Sequence, residues 1–315
     1  MTSPRIAALF PGQGSQAVGM GRDLAERWTV AAEVFQTIDD GLGTTLSELC
    51  WNGPEDDLRL TENTQPALLA HSAAAWAVLA SAGLEAGAVA GHSLGEYSAV
   101  VAAGGLGVKD AARTVRRRGR LMQKAVPVGE GAMAAVIGLD DDQVEEACRE
   151  EEGTGSGTVR PVNFNSPGQV VIAGSAAAVS GASERCKERG ARRALPLPVS
   201  APFHSPLMAP AREGLEPTLR ELEFQPLAMP LYRNVDANRV SEPEEVRSGL
   251  IRQVDAPVLW AETVRRMRAD GFDTFIEVGT GNVLSGLVRR IDRDAVCYQA
   301  GTVETVEKVI AELVG

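Results

Sequence analysis

Short blocks of consecutive apolar residues alternate along this chain with longer stretches in which apolar side chains recur every three or four positions. Blocks of this length suit strands buried on both faces of a sheet, and the three-to-four period suits helices packed against it. Ile6–Phe10 reads as a first buried strand and residues 88–90 as a second, shorter one. Val30, Val34 and Ile38 have helical spacing, and residues 66–80, 96–103 and 109–126 predict three further helices. Residues 231–235 and Thr274–Val278 return to the strand pattern, the latter running through Gly279-Thr280-Gly281 into a helix over 283–290. Strand, glycine turn and helix in succession predict an α/β fold with a doubly wound sheet.

The pattern changes between residues 129 and 198. A strand (132–139), a helix (140–151), a strand (159–165), a turn at Ser166-Pro167-Gly168, a strand (169–173), a helix (176–189) and a strand (192–199) follow one another. That βαββαβ order is the ferredoxin-like split unit. The chain is therefore expected to fold as a large domain of residues 1–128 and 199–315, with a ferredoxin-like small domain, 129–198, inserted into it.

Composition narrows the function classes. With 315 residues, 44% of them hydrophobic, the chain can bury one large core and a smaller one. No apolar run is long enough to span a bilayer, and the apolar segment near the N-terminus is too short for a secretory signal. The 31 basic residues against 42 acidic ones argue against nucleic acid or an anionic membrane as the partner. Cys50, Cys148, Cys186 and Cys297 are scattered, with no C-x-x-C pair, as expected of reduced thiols in a cytoplasmic protein and not of a metal site.

The stretch with the most chemistry is Gly91-His92-Ser93-Leu94-Gly95, between the short strand and a buried helix. A G-x-S-x-G turn in that context is a nucleophile elbow: the glycines permit a sharp turn that lifts one hydroxyl clear of the backbone. Thirty-three glycines allow the pattern by chance, but the strand before and helix after favour Ser93 as a nucleophile. At the helix N-terminus the N–H of Leu94 is placed for a developing oxyanion. An earlier turn, Gly12-x-Gly14-x-x-Ala17, satisfies a dinucleotide fingerprint formally. The helical period of residues 30–38 stands where a second strand ending in an acid is required, so this turn is expected to lend its N–H groups to something else.

A serine nucleophile needs a base, and the chain has His71, His92 and His204. His92 adjoins Ser93 and should point away from it, and His71 falls inside a helix. That leaves His204, in the proline-bracketed loop Ser200-Ala201-Pro202-Phe203-His204-Ser205-Pro206. Arg118 lies on the apolar stripe of the helix over 109–126, three residues after Val115 and four before Met122. A guanidinium on an inward face needs an anion, which is either an internal carboxylate or a ligand's.

Taken together, Phe10-Pro11-Gly12-Gln13-Gly14-Ser15-Gln16, Thr64-Gln65-Pro66-Ala67-Leu68, Gly91-His92-Ser93-Leu94-Gly95-Glu96, Arg118-Gly119-x-x-Met122, Gly131-Ala132-Met133, Ala201-Pro202-Phe203-His204 and Gln253 resemble the malonyl-CoA:acyl-carrier-protein transacylases and the related acyltransferase domains of fatty-acid and polyketide synthases. The resemblance spans nearly the whole chain. It implies a hydrolase-like large domain, Ser93 as acyl carrier, His204 as general base, and the N–H groups of Gln13 and Leu94 as oxyanion hole. It further implies that Arg118 grips the malonyl carboxylate, that Phe203 crowds the acyl pocket, and that Gln253 orients the histidine through its main-chain carbonyl, with His92 in support. Malonyl-CoA would be substrate, CoA product and an acyl carrier protein the partner, with no bound cofactor and a monomeric enzyme. Asp255 is an alternative third member beside His204. A serine thioesterase using the same elbow, a methylmalonyl-using acyltransferase and a non-catalytic carrier-binding protein are the rival readings.

Overall fold

The computed structural model describes residues 5–199 and 201–314; residues 1–4 of the N-terminal segment, Ser200 at the head of the His204 loop, and Gly315 lie outside the described residues. Its strands are β1 (Ile6–Phe10), β2 (Ala88–Gly91), β3 (Gly131–Ile137), β4 (Val159–Ser166), β5 (Gln169–Ser175), β6 (Arg193–Pro196), β7 (Leu231–Tyr232), β8 (Arg239–Val240), β9 (Thr274–Val278) and β10 (Val296–Ala300). They form two sheets, a six-stranded one in the order β10-β9-β1-β2-β7-β8 and a four-stranded one in the order β4-β5-β3-β6.

In the larger sheet every pairing except β7 with β8 is parallel. β1 is buried along its whole length, and its side chains divide with period two: Ile6, Ala8 and Phe10 enter one apolar cluster, Ala7 and Leu9 the other. Helices therefore cover both faces, which is why the strand reads as an unbroken apolar block. The chain fills the sheet to one side of β1 through β2, β7 and β8, then to the other through β9 and β10. That reversal opens a crevice at the carboxyl ends of the strands. Phe10 pairs with Gly91, so the turn after β1 and the turn after β2 emerge side by side.

The four-stranded sheet is antiparallel throughout, with the strand order of a ferredoxin-like unit. Helices Asp141–Glu152 and Ala176–Glu188 cover one face, burying Val144, Ala147, Val179 and Ala182 against Val136, Val170 and Ile172. The other face carries Met133, Val162, Val171 and Ala173, with Leu197, Val199 and Phe203 packed on it. Met133, Leu197, Val199 and Phe203 also line the crevice, so this face is its roof. The edge strand β4 is tied to the larger body by backbone: Phe164 N–H donates to the Val258 carbonyl at 3.0 Å, and Val258 N–H to the Val162 carbonyl at 2.8 Å.

Some elements differ from the sequence expectation in ways that matter to the site. The helix expected from Pro66 begins at Thr61, with Pro66 inside it and the Thr64 hydroxyl donating to the Leu58 carbonyl at 2.5 Å. A proline usually opens a helix, but this one loses only its own N–H bond while the extra turn buries Thr64 and Gln65. The strand expected over 231–235 ends at Tyr232, because Asn234 leaves the sheet to bond the elbow. β10 is partly exposed at the sheet edge and its alternation is weak, so its pattern was not legible as a strand.

The elbow packs backbone on backbone. A Cβ on Gly95 would overlap the Phe10 carbonyl, and one on Gly91 would overlap the Gly95 carbonyl group. The fold thus predicts that Gly95→Ala lowers the melting temperature by roughly 6–12 °C or more. Gly286→Ala, at an exposed helical position with nothing within 4 Å of the new methyl, should raise it by roughly 1–4 °C. Thermal denaturation of the two variants beside the parent protein checks both.

Candidate functional site

β2 ends at Gly91 and helix Gly95–Ala102 follows after only three residues, so Ser93 is forced into the left-handed region at φ 53°. Such a conformation costs a non-glycine residue about 1–3 kcal/mol and persists only where its surroundings over-determine it. Here they do. His92 N–H donates to the Phe10 carbonyl at 3.0 Å and Ser93 N–H to Asn234 Oδ1 at 2.7 Å. Asn234 Nδ2 donates in turn to the Gly91 carbonyl at 2.6 Å, and Gln253 Nε2 to the Ser93 carbonyl at 2.8 Å.

The Ser93 hydroxyl lies 2.7 Å from Nε2 of His204, 111 positions later in the chain. His204 is buried and also has positive φ, 63°. Its Nδ1 is 2.8 Å from the Gln253 carbonyl oxygen. A carbonyl only accepts, so Nδ1 carries the proton and the Nε2 lone pair faces the serine. The position beside His204 for which Asp255 is the alternative is taken by that carbonyl, and the Asp255 carboxylate pairs with Arg212 at 3.4 Å. Burial, then the Arg118 charge, push the His204 pKa down from 6.5 to about 3, against the opposing pull of the Gln253 carbonyl. The imidazole is therefore neutral, and able to take a proton, across the ordinary pH range.

Arg118 projects from helix Val108–Lys124 among Val115, Met122 and Ala111, and only 1% of it is exposed. Its Nη1 donates to Gln65 Oε1 at 3.0 Å, and its Nη2 to Gln253 Oε1 at 2.9 Å and to the Ser93 hydroxyl at 3.2 Å. The Tyr97 ring lies 5.7 Å from its guanidinium carbon. Nε has no partner, and among the described residues no carboxylate forms an ion pair with it. The internal salt bridge is thus the wrong one of the two readings. A desolvated guanidinium held by neutral amide oxygens, with donors unfilled, has the chemistry to receive an anion.

Gln13 and Leu94 lie beside Ser93 on the wall of a cavity of about 630 Å³. Neither main-chain N–H has an acceptor among the described residues. Phe203 lines the same cavity and packs against both the larger core and the roof sheet. His92 turns away from Ser93, its Nε2 2.8 Å from Asn165 Oδ1 and its ring 5.6 Å from that of Trp260. Because Asn165 belongs to β4, this contact joins the elbow to the roof. His71 is buried in its helix against the Gly301 carbonyl at 2.8 Å, outside the site. Among the described residues there is no group of three or more His, Cys, Asp or Glu side chains that could hold a metal, and no helix is long and apolar enough to cross a membrane.

Sequence reasoning assigned no part to four residues that build the site: Gln65, Glu96, Asn165 and Asn234. Glu96 had a signal, as the lone acid in an otherwise apolar and small stretch that reads as a buried helix. Asn165 and Asn234 had none, since a single asparagine near a strand end most often marks a turn.

The chain matches the acyl transferase domain family over residues 8–306. It is 45% identical over 311 residues to a malonyl CoA-acyl carrier protein transacylase of Bacillus subtilis, covering 98% of this chain and 97% of that one. An acyl carrier protein S-malonyltransferase from Vibrio cholerae superposes with a TM-score of 0.94 at 49% identity, covering 97% and 99% of the two chains. A malonyl-transacylase solved in complex with a type II PKS acyl-carrier protein superposes with a TM-score of 0.94 at 44% identity, covering 98% and 99%. With that identity sustained over nearly its full length, and with a strained serine, an imidazole and an unpaired guanidinium meeting in one crevice, the chain belongs to the malonyl-CoA:acyl-carrier-protein transacylase family of acyl transferases.

Proposed function

We propose that this protein transfers the malonyl group of malonyl-CoA to the phosphopantetheine thiol of an acyl carrier protein, in fatty-acid or polyketide synthesis, through an acyl ester on Ser93. The observation that carries the reading is the position of the Arg118 guanidinium, 3.2 Å from the hydroxyl that His204 also bonds. A nucleophile and an anion receptor that close together suit an acyl group bearing its own carboxylate. Residues 129–198 act in this reading as a small inserted domain roofing a large one made of 1–128 and 199–315. The protein works as a monomer in the cytoplasm, and it needs no bound cofactor because two thiols exchange one acyl group.

In the first half-reaction the Ser93 oxygen attacks the thioester carbonyl while His204 Nε2 takes its proton. The oxyanion that forms is received by the N–H groups of Gln13 and Leu94, each such donor contributing about 3 kcal/mol. The C–S bond then breaks, and the CoA sulfur takes the proton back from the imidazolium. A thiol leaving group with a pKa near 8.5 needs far less assistance than an amine or alkoxide. An imidazole oriented by a carbonyl in place of a carboxylate therefore suffices. In the second half the carrier thiol gives its proton to His204, its sulfur attacks the acyl carbon, and the Ser93 oxygen leaves and is reprotonated. Arg118 holds the free carboxylate through both halves, and Phe203 limits bulk at the acyl α-carbon.

Ser93→Ala should abolish the covalent adduct that labelled malonyl-CoA leaves on the protein, read by mass spectrometry; an adduct persisting in the variant would place the ester elsewhere. In Arg118→Ala, malonyl transfer should fall roughly 10- to 150-fold, the loss of one buried charged hydrogen-bond partner, while acetyl transfer is spared or improved. Equal losses for both acyl groups would count against the carboxylate clamp, whereas release of free malonate faster than carrier malonylation in the parent protein would argue for a hydrolase. The lowered His204 pKa fixes the pH behaviour. A base is lost as pH falls through its pKa, so the acid limb of kcat/KM should lie well below the ordinary histidine range. Measured with acetyl-CoA, which has no carboxylate for Arg118, kcat/KM should be flat between about pH 5 and 8, and a limb centred near 6.5 would contradict it.

A further inference from the structure

Beneath the elbow, helix Gly95–Ala102 carries one acid, Glu96, and the mechanism above does not use it. It is fully buried and does not line the cavity, and its main-chain N–H donates to the Ser93 carbonyl at 3.1 Å. Its Oε2 accepts from Gln253 Nε2 at 2.7 Å and from the main-chain N–H of Asn234 at 3.2 Å, and its Oε1 has no partner. Burial pushes the carboxyl up to about 7, even though Gln253 and Asn234 hold it down. The other charged groups facing it are Arg118, on the helix packed across it, and Arg233, which is itself paired with Asp236 at 2.6 Å. A carboxylate kept in such a place, with one oxygen empty, is costly to the fold.

What it gains is the direction of one amide. The Gln253 side chain has a donor end and an acceptor end that differ little in shape. Its Nε2 points at Glu96 and the Ser93 carbonyl, and this leaves Oε1 facing Arg118 Nη2 at 2.9 Å. Turned over, it would press an NH2 against the guanidinium. An ionised carboxylate only accepts, so Glu96 admits only the first orientation. The main chain of Gln253 meanwhile bonds His204, so one residue joins the acid below to the base and the anion receptor above.

From this geometry we infer that Glu96 is a positioning residue for acyl-group selection: through the Gln253 amide it holds the Arg118 guanidinium in the attitude that receives the substrate carboxylate. The inference rests on the proposed use of Arg118 for malonyl. It places the origin of malonyl-over-acetyl preference one step behind the residue that touches the acyl group.

The test compares kcat/KM for malonyl-CoA and acetyl-CoA at about pH 8, above the Glu96 pKa, in the parent protein, Glu96→Gln, Arg118→Gln and the double variant. Glu96→Gln should reduce the malonyl-to-acetyl ratio about tenfold or more, chiefly by raising the malonyl-CoA KM. In the Arg118→Gln background the same change should alter the ratio by less than about twofold, since the two residues act on one contact. A merely structural role would lower both substrates together and leave the ratio where it was, and that result, or losses that multiply in the double variant, overturns the inference. If Glu96→Gln does not fold, Gln253→Met removes the amide while keeping the main-chain carbonyl; the ratio should fall there too, and an unchanged ratio is equally decisive against it. A parent protein with no malonyl preference would instead overturn the functional reading, and this inference with it.

Discussion

The constraint on which the site depends is a buried positive charge that the protein leaves without a negative one. Removing a guanidinium from water is costly, and folds usually offset that by pairing it with a carboxylate. Arg118 is offered two amide oxygens, a hydroxyl and an aromatic face. The acid whose charge reaches it, Glu96, bonds Gln253 instead. The arrangement satisfies enough of the guanidinium to bury it and leaves enough unsatisfied to bind an anion.

The same economy governs the backbone. Ser93 and His204 both occupy the left-handed region, and each is held there by bonds from elsewhere in the chain. Asn234 spans the elbow, accepting from Ser93 N–H and donating to the Gly91 carbonyl, so the turn cannot relax without breaking both. Gln253 bonds Ser93, Glu96 and Arg118 through its side chain and His204 through its main chain. Strain and polarity in this crevice are parts of one network, which is why its members are expected to respond non-additively to substitution.

The two sheets meet along a seam built from both. Val258 lies five residues beyond Gln253 and pairs through its backbone with β4, while His92, next to Ser93, bonds Asn165 of the same strand. The roof is thus connected to the histidine support and to the elbow by separate routes. Phe203, one residue before His204, packs on both cores and so links the roof to the His204 loop.

Much of this was legible locally. A strand, a glycine-flanked serine and a helix lie within the fifteen residues 88–102, and the close packing of the turn that lifts Ser93 is permitted by the absence of a Cβ at Gly91 and Gly95. The three-to-four period turns Arg118 inward whatever lies opposite, and the order of short elements in residues 129–198 carries the ferredoxin-like topology with it. What lies opposite was not legible. Whether Arg118 meets a carboxylate, whether His204 leans on Asp255 or on a carbonyl, and where Asn234 and Gln65 point depend on segments brought together across 19 to 143 positions. Periodicity and turn chemistry reach over one element, and a hydrogen-bond partner that far away is selected only when the sheets close and each buried polar group must find an acceptor or a donor.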